Sequence, residues 1–72
     1  MFNKEIFGER LRLIRKEHGE KQDELGQRID VTKTQISEME KGKKTTTLEK
    51  FALTCEHYQV SADYLLGFTD EK

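Results

Sequence analysis

The sequence predicts an all-α fold, a compact bundle of five short helices, and three of its features carry that prediction. Apolar residues recur three and four positions apart in successive segments, the period of one helical face, and no segment of useful length alternates as a strand does. Serine, threonine and glycine stand where those segments begin and end, the places where such residues cap or release helix termini. Proline is absent from all 72 residues, which suits helices joined by short polar turns.

The first helix is expected from about Lys4 to His18. Phe7, Leu11, Ile14 and His18 form one stripe with Ile6 beside it. Gly19 marks the stop, and His18 next to it suits the negative helix end. The second helix, from about Gln22 to Arg28, and the third, from about Lys33 to Lys41, are shorter. Leu25 and Ile29, four apart, share one face, and Ile36 and Met39, three apart, share another. Between them Ile29, Asp30, Val31 and Thr32 supply a turn, in which Asp30 can take the left-handed conformation, though less readily than glycine. Thr32 followed by Gln35 has capping-box spacing, and Lys41 followed by Gly42 marks a stop. The fourth helix is expected from about Leu48 to Tyr58, with Leu48, Phe51, Ala52, Cys55 and Tyr58 on one face and Thr46 or Thr47 as N-cap. The fifth begins after Ser61, carries Tyr64, Leu65 and Leu66, and ends at Gly67.

A chain of 72 residues makes one domain. Its mean hydropathy of -0.88 is low. Leu, Ile, Val and Phe nevertheless make up about a quarter of it, above the roughly one-fifth that goes with disorder. A small core is expected, worth on the order of 3–5 kcal/mol as in other domains this short. One cysteine leaves no internal disulfide and is compatible with a reducing cytoplasm. No apolar run approaches the roughly 20 residues that span a bilayer. The opening MFNKEIFGER lacks a signal-peptide layout.

Net charge is -1 and the pI is near 6.1, which taken alone counts against nucleic acid. The distribution is uneven, however. Between Val31 and Thr46 stand Lys33, Lys41, Lys43 and Lys44 against Glu38 and Glu40, while Glu17, Glu20, Asp23, Glu24, Asp70 and Glu71 lower the total elsewhere. Only a docking face need be basic for phosphates to meet it.

Two short helices joined by a three- to four-residue turn, from Gln22 to Gly42, have the spacing of a DNA-reading helix-turn-helix. The chain resembles the phage-repressor and Cro type of this domain, the XRE family. The likeness extends upstream through Phe7-Gly8-Glu9-Arg10-Leu11-Arg12-Leu13-Ile14-Arg15 and Gly19, and downstream through Thr47-Leu48-Glu49 and Val60 to Gly67, covering about residues 6–67. It implies a lambda-repressor-like five-helix bundle with its helix-turn-helix formed by helices 2 and 3. It also implies a sequence-specific transcriptional regulator, more a repressor than an activator, that acts as a homodimer on double-stranded DNA of two-fold symmetry. A protein-interaction module on the same fold, such as an antitoxin or an antagonist of another regulator, is the alternative.

The same resemblance implies the site. Lys33, Thr34 and Glu38 fall at positions that face bases, with Ser37 a further candidate. Lysine can donate to guanine O6 and N7, and glutamate can accept from cytosine N4. Thr32 and Gln35 open the reading helix, and Gln35 is open between capping it and reading adenine. Gln22 resembles a phosphate-binding glutamine at a positive helix end, and Lys41, Lys43 and Lys44 suit backbone phosphates. Arg15 and Glu40 match an arginine–glutamate pair joining helix 1 to the end of helix 3.

Some positions depart from the family pattern. Lys21 stands where a serine or threonine caps helix 2, Glu20 where an apolar residue packs, and Gly26 where alanine is usual. Asp30 and Gln59 replace glycines. Helix 2 is therefore expected to be the least stable element. Cys55 reads as core, His57 as a lone histidine, and Tyr58 and Tyr64 as packing residues. No cofactor, metal, catalytic constellation, small-molecule effector or membrane segment is expected. Phe2, Leu13 and Phe68 are candidates for partial exposure.

Overall fold

The computed structural model describes residues 1–72 and contains five helices: α1 (Lys4–Glu17), α2 (Gln22–Ile29), α3 (Lys33–Glu40), α4 (Leu48–Tyr58) and α5 (Ala62–Leu66). Side chains decide where four of them begin. Asn3 accepts from the amides of Glu5 and Ile6, Thr32 from Gln35, Thr47 from Lys50, and Ser61 from Tyr64. Of the two threonines proposed to cap α4, Thr47 does so. No side chain caps α2, since Lys21 has no acceptor to offer. Only the reciprocal half of a capping box exists there, with the Lys21 amide donating to Glu24 Oε1 at 2.8 Å.

Left-handed residues close the helices. Asp30 and Gln59 adopt φ of 59° and 56° at the ends of α2 and α4, the conformation anticipated for Asp30. The turn after α2 is tight enough to explain Gly26. A methyl there would lie 2.5 Å from the Val31 carbonyl oxygen, so the glycine answers a close approach despite its cost of about 1 kcal/mol in helix propensity.

Ten residues form the core: Phe7, Leu11 and Ile14 from α1, Leu25 and Ile29 from α2, Ile36 and Met39 from α3, Tyr58 from α4, and Tyr64 and Leu65 from α5. α1 packs on α3 and α5, while α2 is held between α3 and α4. The stripe read for α1 is correct in Phe7, Leu11 and Ile14, but Ile6 lies at its exposed margin and His18 beyond it.

The face expected for α4 needs correction. Leu48 is 81% exposed and Ala52 is exposed, while Thr54 is buried. Leu48 occupies the first turn, before the helix reaches the core. Thr54 can be buried because its hydroxyl donates to the Lys50 carbonyl at 2.9 Å. Phe2, Leu13 and Phe68 are exposed as anticipated. No helix is long and apolar enough to cross a membrane.

Candidate nucleic-acid interface

α3 turns Ile36, Met39 and Glu40 inward, and its opposite face is open to solvent. Thr32, Lys33, Thr34 and Gln35 at its start are exposed, Ser37 and Glu38 are half-buried, and Lys41, Lys43 and Lys44 are exposed beyond its end. With its side chains an α-helix is about 10–12 Å across, which fits the roughly 12 Å width of the B-DNA major groove. The structure gives Gln35 a capping role: its Oε1 accepts from the Thr32 amide at 2.8 Å while its own amide donates to Thr32 Oγ1 at 3.1 Å. Lys44 Nζ lies 3.7 Å from Glu38 Oε1, so one lysine of the following loop leans back over the helix face.

The start of α2 sits beside the end of α3. Gln22 Nε2 donates to Glu40 Oε1 at 3.1 Å, which ties the side chain proposed for phosphate contact to the buried carboxylate. Glu40 is held mainly by Arg15, whose Nε and Nη2 donate to its two oxygens at 2.6 and 3.0 Å. Their side chains are only 3% and 10% exposed, so the pair is a buried one. The Glu40 hydrogen bond raises the Arg15 guanidinium above its ordinary value against the opposing effect of burial.

This pairing alters the charge of the surface. Glu40 is paired with Arg15, so of the two carboxylates between Lys33 and Lys44 only Glu38 shares the open face with the lysines. Lys50 was not anticipated. It borders a groove of about 360 Å³ between α3 and the start of α4, with Lys44 on the same rim and Asp30 3.5 Å from its Nζ.

A second cluster also escaped the sequence reading. The Glu20 carboxylate accepts from the Tyr58 hydroxyl and from His57 Nε2, at 2.9 Å to Oε2. The rings of His18 and His57 lie 4.9 and 4.6 Å from that of Tyr58. Burial pushes the Glu20 carboxyl up, but the Tyr58 and His57 hydrogen bonds outweigh it and hold the group below its ordinary value. The Tyr58 phenol is raised by burial and by its bond to Glu20. Glu20 was legible as a misplaced charge, and His57 as a lone histidine. Their meeting across 37 residues was not. No group of three or more His, Cys, Asp or Glu side chains is placed to hold a metal ion.

A helix-turn-helix family model matches residues 11–65. A protein of Bacillus subtilis (strain 168), the uncharacterized HTH-type transcriptional regulator YobD, is 33% identical over 66 residues, or 92% of this chain. The chain spans 59% of that protein's length. Among solved structures, the P22 c2 repressor in complex with synthetic operator 9T superposes with a TM-score of 0.82 at 32% identity, covering 88% of this chain and 96% of that one. The clp gene regulator ClgR of Corynebacterium glutamicum gives a TM-score of 0.82 at 28% identity, covering 94% of this chain and 72% of that one.

Proposed function

Because the chain belongs to the helix-turn-helix family of XRE, phage-repressor type, we propose that it is a sequence-specific DNA-binding transcriptional regulator working as a repressor. The observation that carries this reading is the bare outer face of α3, with exposed Thr32, Lys33 and Thr34 at its leading end and Lys41, Lys43 and Lys44 beyond its other end. The likeness to a repressor solved on its operator supports it.

In the proposed complex α3 lies in the major groove with its N-terminal residues against base edges. Lys33, Thr34, Ser37 and Glu38 read sequence. Gln35 serves the cap with its Oε1 and keeps its Nε2 free to donate to a base or phosphate. The first amides of α2 donate to no side-chain cap and sit at a positive helix end, which suits a phosphate oxygen. Gln22 adds its amide by releasing Glu40. Two copies bind half-sites about one helical turn apart, and repression follows from occupying promoter DNA.

Selection of bound duplexes from a random pool at low salt tests the proposal. The expected product is a two-fold symmetric site carrying G·C pairs opposite Lys33 and Glu38. Recovery of no preferred duplex, together with tight binding to a protein partner, would favour an antitoxin-like or antagonist role instead.

A further inference from the structure

The turn entering α2 is fastened by side chains that take the place of the apolar contact expected at residue 20. The Glu20 amide donates to the Arg15 carbonyl at 3.1 Å, and its own carbonyl accepts from Arg15 Nη1 at 2.7 Å. Its carboxylate reaches the last turn of α4, where Tyr58 and His57 both donate to it. Tyr58 is 3% exposed and belongs to the core, so the anchor is fixed. An apolar side chain would bury area without direction, whereas two hydrogen bonds set the position and plane of the carboxylate.

Glu20 lies two residues before Gln22 and the uncapped amides of α2. We infer that Glu20, held by Tyr58 and His57, is a positioning residue for DNA binding that aims the start of α2 at the phosphate backbone. The inference rests on the DNA-binding reading above. Glu20 touches no DNA itself. It acts through the turn, and its loss lets the amides at Gln22, Asp23 and Glu24 drift from the phosphate while α3, capped by Thr32 and packed through Ile36 and Met39, keeps its reading geometry.

The test uses wild type, Glu20→Leu, Glu20→Gln and the Glu20→Leu, Tyr58→Phe double variant. Each is titrated with the selected duplex and with a scrambled one across a salt series, at a temperature where circular dichroism shows every protein fully folded. Glu20→Leu is expected to weaken binding to both duplexes about tenfold, the scale of one charged hydrogen bond. The slope of log affinity against log salt should flatten by about one phosphate contact. The ratio between the two duplexes should stay unchanged. Glu20→Gln, which keeps an acceptor for Tyr58, should recover most of the affinity, and Tyr58→Phe should add no further loss to Glu20→Leu.

Wild-type affinity and slope in folded Glu20→Leu would overturn the positioning role, as would a loss confined to the selected duplex. A wild-type protein that binds neither duplex would overturn the DNA-binding reading itself, an outcome distinguishable from both.

Discussion

Arg15 and Glu40 meet through two charged hydrogen bonds in a site nearly closed to water, and Glu40 also accepts from Gln22. Replacing one partner strands the other charge, which costs about 3–5 kcal/mol for a buried pair. That equals the whole stability expected of a domain this short. Glu40→Ala should therefore be largely unfolded near room temperature, whereas an Arg15→Met, Glu40→Leu double variant should regain much of the loss, and urea denaturation of the three proteins reads the difference. Glu20 makes a second residue-level prediction, and its sign follows from the lowered carboxyl. Ionised Glu20 stabilises the fold above the unfolded carboxylate value of about 4.3, and that contribution is lost as pH falls through the lower folded value. The stability advantage of wild type over Glu20→Gln should thus hold at neutral pH and shrink through the acid range, in thermal melts recorded from about pH 6 down to about pH 2. An advantage that grows with acid would reverse the assignment.

At the scale of elements, the helices were legible because their starts are written locally. Thr32, Thr47 and Ser61 cap amides three residues away, while the Asn3 cap of α1 was not anticipated. What stayed hidden depends on the neighbour across the core. Nothing near Thr54 announces that it will be buried while Leu48 is exposed, because packing against the rest of the bundle decides it. The solvent-open outer face of α3 was legible in the spacing of Ile36 and Met39, but the Glu20–Tyr58 contact required the packed fold. α2 is expected to be the weakest helix because it alone lacks a side-chain cap and it carries a glycine in its middle. Amide exchange should be fastest among the hydrogen-bonded positions of α2 and slowest in α1, whose cap and three core residues hold it. The prediction counts on the Glu20 anchor stiffening only the turn before α2, leaving the middle of the helix to open. Protection of α2 equal to that of α1 would mean that packing against α3 and α4 outweighs the missing cap.

Over the whole molecule, net charge and the proposed binding face point in opposite directions, and the placement of the charges reconciles them. The overall -1 includes carboxylates that are already engaged: Glu40 with Arg15, Glu20 with His57, Glu17 with Lys72 and Asp70 with Arg10. Around α3, Lys33, Lys41 and Lys43 have no acidic partner within ion-pair distance, while Lys44 stands by Glu38 across 3.7 Å with 67% and 32% of the two side chains exposed. An exposed pair of that kind is worth about 1 kcal/mol or less and is screened by salt, so a DNA phosphate can displace Glu38 from Lys44. Lysines that only meet phosphate change affinity for every sequence, and each one removed should make the slope of log affinity against log salt shallower by about 0.9. Lys43→Ala and Lys44→Ala should accordingly weaken selected and scrambled duplexes alike. In the proposed complex, Lys33→Ala and Glu38→Ala should instead lower discrimination between them, by about 1–3 kcal/mol at the base each would read. Glu38→Ala carries the sharper consequence, since it also frees Lys44: binding to scrambled DNA should tighten as binding to the selected site loses its preference. Gel shifts across a salt series separate these effects, and a Glu38→Ala protein that weakens on both duplexes equally would remove Glu38 from the reading face.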